Sequence, residues 1–537
     1  MPSQKTRYFW PTAMMLSACG GGQTNDNTVV NVIGFPSKYV PPAPTFDDPK
    51  AIDPNFKTLE PVLVDPYWVT TLEMDDGKSV IDKLLADSNR TLVYSFPLTA
   101  PDYLPITVVG YVPANSELVA ASSDIFSQLE AVLDISIEKS DTPNGFNNLA
   151  ISQSIQANTA GLSYFPNKDY ELGSDIFISK EYSNPLKLEN GLTNYDYEVL
   201  LHEIGHALGL KHPFEGDRDN VSILNSYEDQ TKFTAMSYDN DPDTFNGTFR
   251  VLDWMALTKL YGVNSEFNSG NDVYRFSDVS AIFIIDGGGI DTIDAATSNN
   301  NIVIDLRSGT HNYEGFKSSF ITDASQLTIS HGTEVENVIT GLGDDTIIGN
   351  QLKNLLISSS GDDKIFAGEE MDIIYPGLGN DIIDLSEDVQ TEDRIVFEIV
   401  NTIENTDLIY GFVQGPSGDI IDIKELNFLS LTELPIVDVS NVPFGYIDNC
   451  LVRVFGNGLN NAEGLNSYFS DGGLLETFKL SSGAHALLIT ANSQDTGEAQ
   501  SIYSVQHSSG LTEVHQIAYL IGNSLDIDSW STENFIV

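Results

Sequence analysis

Between Thr340 and Asp384 the sequence repeats every nine residues, a period that leaves a chain few ways to fold. Five units begin at Thr340, Gly349, Ser358, Ala367 and Pro376. Their second positions are Gly341, Asn350, Ser359, Gly368 and Gly377, and their sixth are Asp345, Asn354, Asp363, Asp372 and Asp381. The eighth position is always apolar: Ile347, Leu356, Ile365, Ile374 and Ile383. Each unit supplies one tight turn and one short strand, with the apolar eighth side chain directed to an interior. A single unit cannot bury that face alone, so the units must stack.

The repeat matches the G-G-x-G-x-D-x-U-x pattern of calcium-binding parallel β-rolls. In such a roll, turn carbonyls and sixth-position carboxylates face a hard cation that prefers oxygen ligands. Alternate units share a side, which places Asp345, Asp363 and Asp381 on one edge and Asn354 and Asp372 on the other. This chain departs from the pattern at Asn354, at Asn350 and Ser359 in the second position, and at Leu352 and Glu370 in the fourth. The first edge is therefore expected to bind calcium better than the second. Asp286-Gly287-Gly288-Gly289-Ile290-Asp291 is a separate candidate calcium turn. The alternative is a glycine-poor β-solenoid that holds no ion.

Upstream lies His202-Glu203-Ile204-Gly205-His206-Ala207-Leu208-Gly209-Leu210-Lys211-His212. On a helix, His202 and His206 fall on one face, one turn apart. Two imidazoles so placed can hold zinc, with Glu203 beside the open position as general base. Gly209 lets the chain leave the helix and bring His212 round as a third ligand. Three nitrogens and a water describe a catalytic zinc site, not a closed structural one. A bare H-E-x-x-H arises by chance in many helices, but three of the chain's eight histidines fall here at ligand spacing.

Downstream is Thr234-Ala235-Met236-Ser237-Tyr238. With it the zinc motif resembles the metzincins, whose motif is followed by a methionine-containing turn beneath the metal. The fuller run, His202 to Pro213 followed by Met236-Ser237-Tyr238, is similar to the serralysin family of secreted bacterial proteases. The resemblance implies that Met236 underlies the zinc and that Tyr238 is a metal-proximal phenol that stabilises the oxyanion. Ordinary core packing is the alternative for both residues.

Composition sets the outer bounds. The chain has 537 residues, long enough for several domains, and 26 Lys+Arg against 77 Asp+Glu give a net charge of −51. Such a chain repels nucleic acid and anionic membrane surfaces and attracts divalent cations. Two cysteines, Cys19 and Cys450, provide no disulfide framework. No run of eighteen apolar residues exists to span a membrane. The N-terminus, with Lys5 and Arg7 before a short apolar stretch and then Leu16-Ser17-Ala18-Cys19-Gly20, looks like a bacterial lipoprotein signal with Cys19 acylated. An uncleaved leader is the alternative, since Pro11 interrupts the apolar stretch. The last residues, Glu533-Asn534-Phe535-Ile536-Val537, resemble the C-terminal signal of type I secretion, with a last strand as the alternative.

These readings give an α+β metzincin catalytic domain, an all-β parallel β-roll and a small C-terminal β-rich module. The expected boundaries are 1–18 for the signal, 19–55 for a proline-rich linker, 56–265 for the protease domain, 266–430 for the roll and 431–537 for the last module. Strands are expected at Leu92–Phe96, Leu162–Phe165 and Asp175–Ile178, and an amphipathic helix over Leu118–Leu133. Thr193 and Asp196 would cap the zinc helix, and Leu252–Gly262 would be the closing one. The expected function is a secreted or surface-anchored zinc endopeptidase. It would be a monomer that takes protein or peptide substrates, needs zinc and calcium, binds no nucleic acid and touches membrane only through Cys19. The rival is a calcium-dependent surface or adhesion protein with a vestigial protease site.

Overall fold

The computed structural model describes residues 66–75, 77–87, 89–105, 108–141, 148–156, 159–167, 171–180, 195–216, 220–239, 247–397, 406–415 and 417–423. Beyond 431 it describes mainly strands. Cys19 and Thr193 lie outside these residues, as do the leader, the linker and most of the expected capping box.

The first part of the chain builds helices α1 (Tyr67–Thr70), α2 (Gly77–Asp87), α3 (Ser116–Val132), α4 (Tyr195–Ala207) and α5 (Val251–Tyr261). Its strands are β1 (Thr91–Ser95), β2 (Val112–Pro113), β3 (Ser136–Lys139), β4 (Asn148–Ser154), β5 (Gly161–Ser163) and β6 (Ile176–Ser179). The sheet order is β3-β1-β4-β6-β5, with β2 paired to β4. All pairs are parallel except β5 with β6 and β2 with β4. The antiparallel β5 is thus the sheet edge, three residues long and ended before Pro166.

α3 forms where the apolar spacing places it. Leu118, Ala121, Ile125, Leu129 and Val132 make its buried stripe, and Asn115 caps it by accepting the Leu118 N–H at 2.8 Å. That stripe shares one core with α4 and α5, including Leu200, Leu201, Ile204, Leu252, Leu257 and Leu260. α5 stops at Gly262, whose φ of +77° is open to glycine and costly for other residues.

Between residues 273 and 423 the described chain becomes strands of two to four residues, arranged as two parallel-rich sheets. Along one wall Ile302–Asp305, Thr346–Ile348, Lys364–Phe366, Ile382–Asp384 and Asp407–Tyr410 pair in parallel. The facing wall runs Thr292–Asp294, Asn337–Ile339, Leu355–Ile357, Ile373–Tyr375, Arg394–Val396 and Ile420–Asp422. Thr346 sits opposite Lys364 and Lys364 opposite Ile382, so units two apart stack. The eighth-position side chains Ile347, Leu356, Ile365, Ile374 and Ile383 are completely buried between the walls. Each such side chain removed from water contributes roughly 1.5–3 kcal/mol.

The turns stack as closely as the strands. A Cβ at Gly377 would lie 2.0 Å from the Ser359 carbonyl oxygen, so no side chain fits there. Ser359 and Glu370, which replace pattern glycines, adopt φ of +68° and +69° and carry the backbone strain that glycine avoids. After residue 431 the described strands extend the first wall. Leu511–Ile521 pairs in parallel with Asp407–Tyr410, followed by Gln500–Ser508, His485–Ala491 and Cys450–Phe455. Phe535–Ile536 is a last strand on the facing wall, paired with Ile421 and Asp422. Among the described residues no helix is long and apolar enough to cross a membrane.

Candidate metal centre

α4 carries His202 and His206 with ring centroids 4.7 Å apart. The helix then unwinds at Gly209, whose φ is +97°, while the Leu210 N–H returns to the Gly205 carbonyl at 2.9 Å. The emerging chain pairs with the segment after α1: Met74 N–H donates to the Gly209 carbonyl at 3.0 Å and Lys211 N–H to that of Leu72 at 2.6 Å. The buried Lys211 ammonium then ties the next loop, donating to the Glu215 and Ser222 carbonyls at 2.9 and 2.7 Å. This turn and these ties deliver His212 back to the helix face.

The three Nε2 atoms converge. Those of His202 and His206 lie 3.2 and 3.1 Å from that of His212. Nitrogens about 2.0–2.1 Å from a tetrahedral zinc stand roughly 3.3 Å apart, so the spacing fits the ion. The opposite ring nitrogens decide the tautomers. His202 and His206 Nδ1 meet the Ala235 and Leu210 carbonyls at 2.8 and 2.7 Å, and His212 Nδ1 meets the Glu215 carboxylate at 3.0 Å. A carbonyl or carboxylate can only accept, so each Nδ1 must carry the proton. Three Nε2 lone pairs are then left facing one another, an arrangement a cation satisfies and hydrogen bonding among them does not. Burial holds His202 well below its ordinary range and His206 down at about 4, which keeps both imidazoles neutral.

Met236 is fully buried beneath α4, and its sulfur would lie 2.5 Å from a Cβ at Gly205. The glycine inside the motif is therefore the space the methionine fills. Tyr238 is largely exposed and its hydroxyl lies 2.9 Å from His212 Nε2. Glu203 is buried on the same helix, and burial pushes its carboxyl up to about 8. A Cβ at Gly161 would come 2.4 Å from Glu203 Oε1, so the edge strand β5 passes directly over this carboxylate.

The roll gathers carboxylates in two ladders. On one edge the Ile302 N–H donates to Asp345 Oδ1, Asp345 N–H to Asp363 Oδ1, Asp363 N–H to Asp381 Oδ1 and Asp381 N–H to Asp407 Oδ1, at 2.7–3.0 Å. On the other, Asn354 N–H donates to Asp372, Asp372 to Asp393 and Asp393 to Asp419, at 2.7–3.0 Å. The second oxygens of Asp345, Asp363, Asp372 and Asp381 are buried without a partner, a lack a hard cation would meet. Burial raises these acids, Asp345 to about 6, Asp363 to about 8 and Asp372 to about 9.

Asp407, Asp393 and Asp419 escape the nine-residue count because they follow at steps of 26, 21 and 26 residues. Each nonetheless stands one residue before a short strand or at its start, the same local position as the repeat acids. Asp286 and Asp291 form a third cluster together with Asp272, which sequence reasoning missed. Asp272 N–H donates to Asp291 Oδ1 across 19 residues, close to the eighteen-residue step of the roll. Asp291 Oδ2 is buried without a partner, and burial raises Asp286 to about 6 and Asp291 to about 7.

Residues 254–441 match the family model described as "Peptidase M10 serralysin C terminal". The chain is 32% identical to a serralysin of Proteus mirabilis over 219 residues, covering 35% of this chain and 43% of that one. It is 28% identical to serralysin G of Dickeya chrysanthemi over 311 residues, 52% of this chain and 62% of that protein. With the metallopeptidase AprA of Pseudomonas marginalis it shares 27% identity over 284 residues, 46% and 57% of the two chains. The chain thus spans about half the length of these curated relatives. By sequence the chain is similar to the serralysins, and its residues 254–441 match the model of their C-terminal region.

Proposed function

We propose that this chain is a secreted zinc endopeptidase whose roll is completed by calcium. The observation that carries the reading is the convergence of three Nε2 lone pairs, those of His202 and His206 lying 3.2 and 3.1 Å from that of His212, with every Nδ1 proton already committed. His202, His206 and His212 would hold the zinc. When bound, it supplies a Lewis acid that polarises a carbonyl and makes water acidic.

The protein's own groups do the rest. The carboxylate of Glu203 takes the proton of the attacking water and returns it to the leaving amine. The phenol of Tyr238 donates a hydrogen bond to the oxygen on which charge develops. The unpaired side of β5 offers backbone groups to an extended peptide, which adds as a further strand. Met236 packs against Gly205, between the two helix histidines in sequence, and would touch no reacting atom. A vestigial site would have no use for the Glu203 carboxylate, which weighs against the adhesion reading.

The roll acids Asp345, Asp363, Asp381 and Asp372, and Asp291 of the trio, would hold calcium through buried oxygens that otherwise lack partners, with Asp272 and Asp286 completing the trio. Anchoring through Cys19 is a separate proposal: Cys19→Ser would shift the protein out of the membrane fraction, and an unchanged distribution would rule the anchor out.

The decisive experiment is casein hydrolysis by the full chain, with and without a zinc chelator, beside Glu203→Gln. The expected loss in Glu203→Gln is about 10²–10⁴-fold, with zinc still bound. A wild type without chelator-sensitive hydrolysis would end the enzyme reading.

A further inference from the structure

Glu198 precedes His202 by one turn of α4, on the same face. Its buried carboxylate meets Arg250, whose Nη2 lies 2.9 Å from both oxygens. Arg250 sits at the start of α5 and donates its backbone N–H to Asp253 Oδ2 at 2.8 Å. The same Asp253 oxygen accepts the Ala235 N–H at 2.7 Å, and Asp253 Oδ1 accepts the Thr234 hydroxyl at 2.6 Å. Thr234 Oγ1 in turn accepts the Met236 N–H at 3.0 Å. The carbonyl of Ala235 is the acceptor for His202 Nδ1. The path is a closed ring: Glu198, Arg250, Asp253, the peptide at Ala235, His202 and back along α4.

Every member is buried, and Asp253 and Thr234 are completely so. Two carboxylates and one guanidinium out of water are a poor way to hold two helices together, since an apolar pair of like volume would hold them as well or better. What an apolar pair cannot do is orient a peptide. All three groups meeting Asp253 are donors: two backbone N–H groups and one hydroxyl. Asp253 thus holds Ala235 by its N–H and holds the Thr234 hydroxyl, which accepts the Met236 N–H; through that hydroxyl it pins the Ala235–Met236 peptide, whose carbonyl selects the His202 tautomer and the direction of its ring.

We propose that Asp253, held by the Glu198–Arg250 pair, is a positioning residue: through the Ala235 N–H and the Thr234 hydroxyl it fixes the Ala235–Met236 peptide so that His202 presents Nε2 to the metal. The inference rests on the zinc reading above. It extends the site to residues more than one contact from the ion, none of which would touch substrate.

The test measures metal, not hydrolysis. Zinc dissociation constants are determined for the full chain by competition with a fluorescent chelator, together with visible spectra of the cobalt-substituted protein. Asp253→Asn keeps the shape but puts an NH₂ where only donors converge. Its zinc dissociation constant is expected to rise about tenfold or more and its cobalt bands to shift. Leu129→Ala, a truncation in the same core with no link to the ring, controls for general destabilisation. It should lower the melting temperature of the metal-free protein while zinc affinity and cobalt bands stay as in the wild type. Asp253→Asn with a dissociation constant within twofold of the wild type overturns the proposal. So does Leu129→Ala losing zinc to the same degree. A wild type that takes up no stoichiometric zinc overturns the metalloprotease reading as well, which separates the two failures.

Discussion

The histidine centre and the carboxylate ladders both gather metal-ligating atoms, but at opposite electrostatic cost. At the centre the ligands are neutral: burial keeps His202 and His206 uncharged, and each is oriented by a bond to a fixed backbone carbonyl. Such a site can be assembled by the fold alone. In the ladders every aspartate rung adds a buried carboxylate within bonding reach of the neighbouring rung's backbone, and Asp381, raised first by burial, is raised further by Asp407 and Asp363. Stacked like charges oppose the packing that brings them together. The first region can wait for its metal folded; the second should need its cations in order to fold.

The largest effect expected from this contrast is on removing ions selectively. Stripping calcium with a calcium-selective chelator should cost most of the β signal of the roll in far-ultraviolet circular dichroism, with recovery on adding calcium back. Stripping zinc should abolish hydrolysis and leave that spectrum unchanged. If both withdrawals leave the spectrum intact, the ladders are not cation-dependent and the comparison fails.

The second effect is a pH dependence with a defined sign. The ladder acids have folded-state pKa values raised above their ordinary one near 3.8: Asp345 to about 6, Asp393 and Asp419 to about 7, Asp363 to about 8. A raised pKa means that the folded state binds the proton more tightly than the unfolded state. That stability is fully present below about pH 4 and is lost as pH rises through 6 to 8. The ion-free roll should therefore melt higher at pH 5 than at pH 8. Saturating calcium should flatten or reverse this trend, because the cation favours the ionised form. A calcium-free melting temperature that climbs from pH 5 to pH 8 would contradict the assignment.

How much of this was legible in the sequence depended on the range of the interactions. The nine-residue period and H-E-x-x-H-x-x-G-x-x-H are local: turn, strand and ligand are fixed within one unit, so spacing alone exposes them. Asp407, Asp393 and Asp419 belong to the same ladders but follow insertions, which hide the register though not the position beside each strand. The edge strand β5 has three residues, too few for alternation to show, and Phe165, placed by its sequence in that strand, lies beyond its end against His206. The Asp253 ring was invisible because its contacts join residues 18, 19 and 52 positions apart. Residues beyond 431 show β character, but their pairing with Asp407–Tyr410 spans more than a hundred residues and leaves no local trace.

The smallest effect expected concerns one rung, and it sharpens the comparison most. On the second edge Asn350 and Asn354 stand where the repeat has glycine and aspartate. Asn354 Nδ2 donates to the Glu336 carbonyl at 3.0 Å and to Asn350 Oδ1 at 3.1 Å, while Asn354 Oδ1 accepts the Asn350 N–H at 2.8 Å. Asn350 Nδ2 donates to the Val335 and Leu306 carbonyls at 2.8 and 3.3 Å. Amide hydrogens thus occupy carbonyls at this rung, and neither side chain has the partnerless buried oxygen that marks the aspartate rungs. A neutral rung adds nothing to the repulsion, so it should close before calcium arrives. Replacing both residues with the pattern, as Asn350→Gly with Asn354→Asp, should restore a charged rung. Calcium stoichiometry, measured by equilibrium dialysis and elemental analysis, should rise by about one ion per chain, and the ion-free protein should lose a little more β signal than the wild type. An unchanged stoichiometry would mean that the amides are not standing in for a cation, and that the second edge is weakened for some reason other than their neutrality.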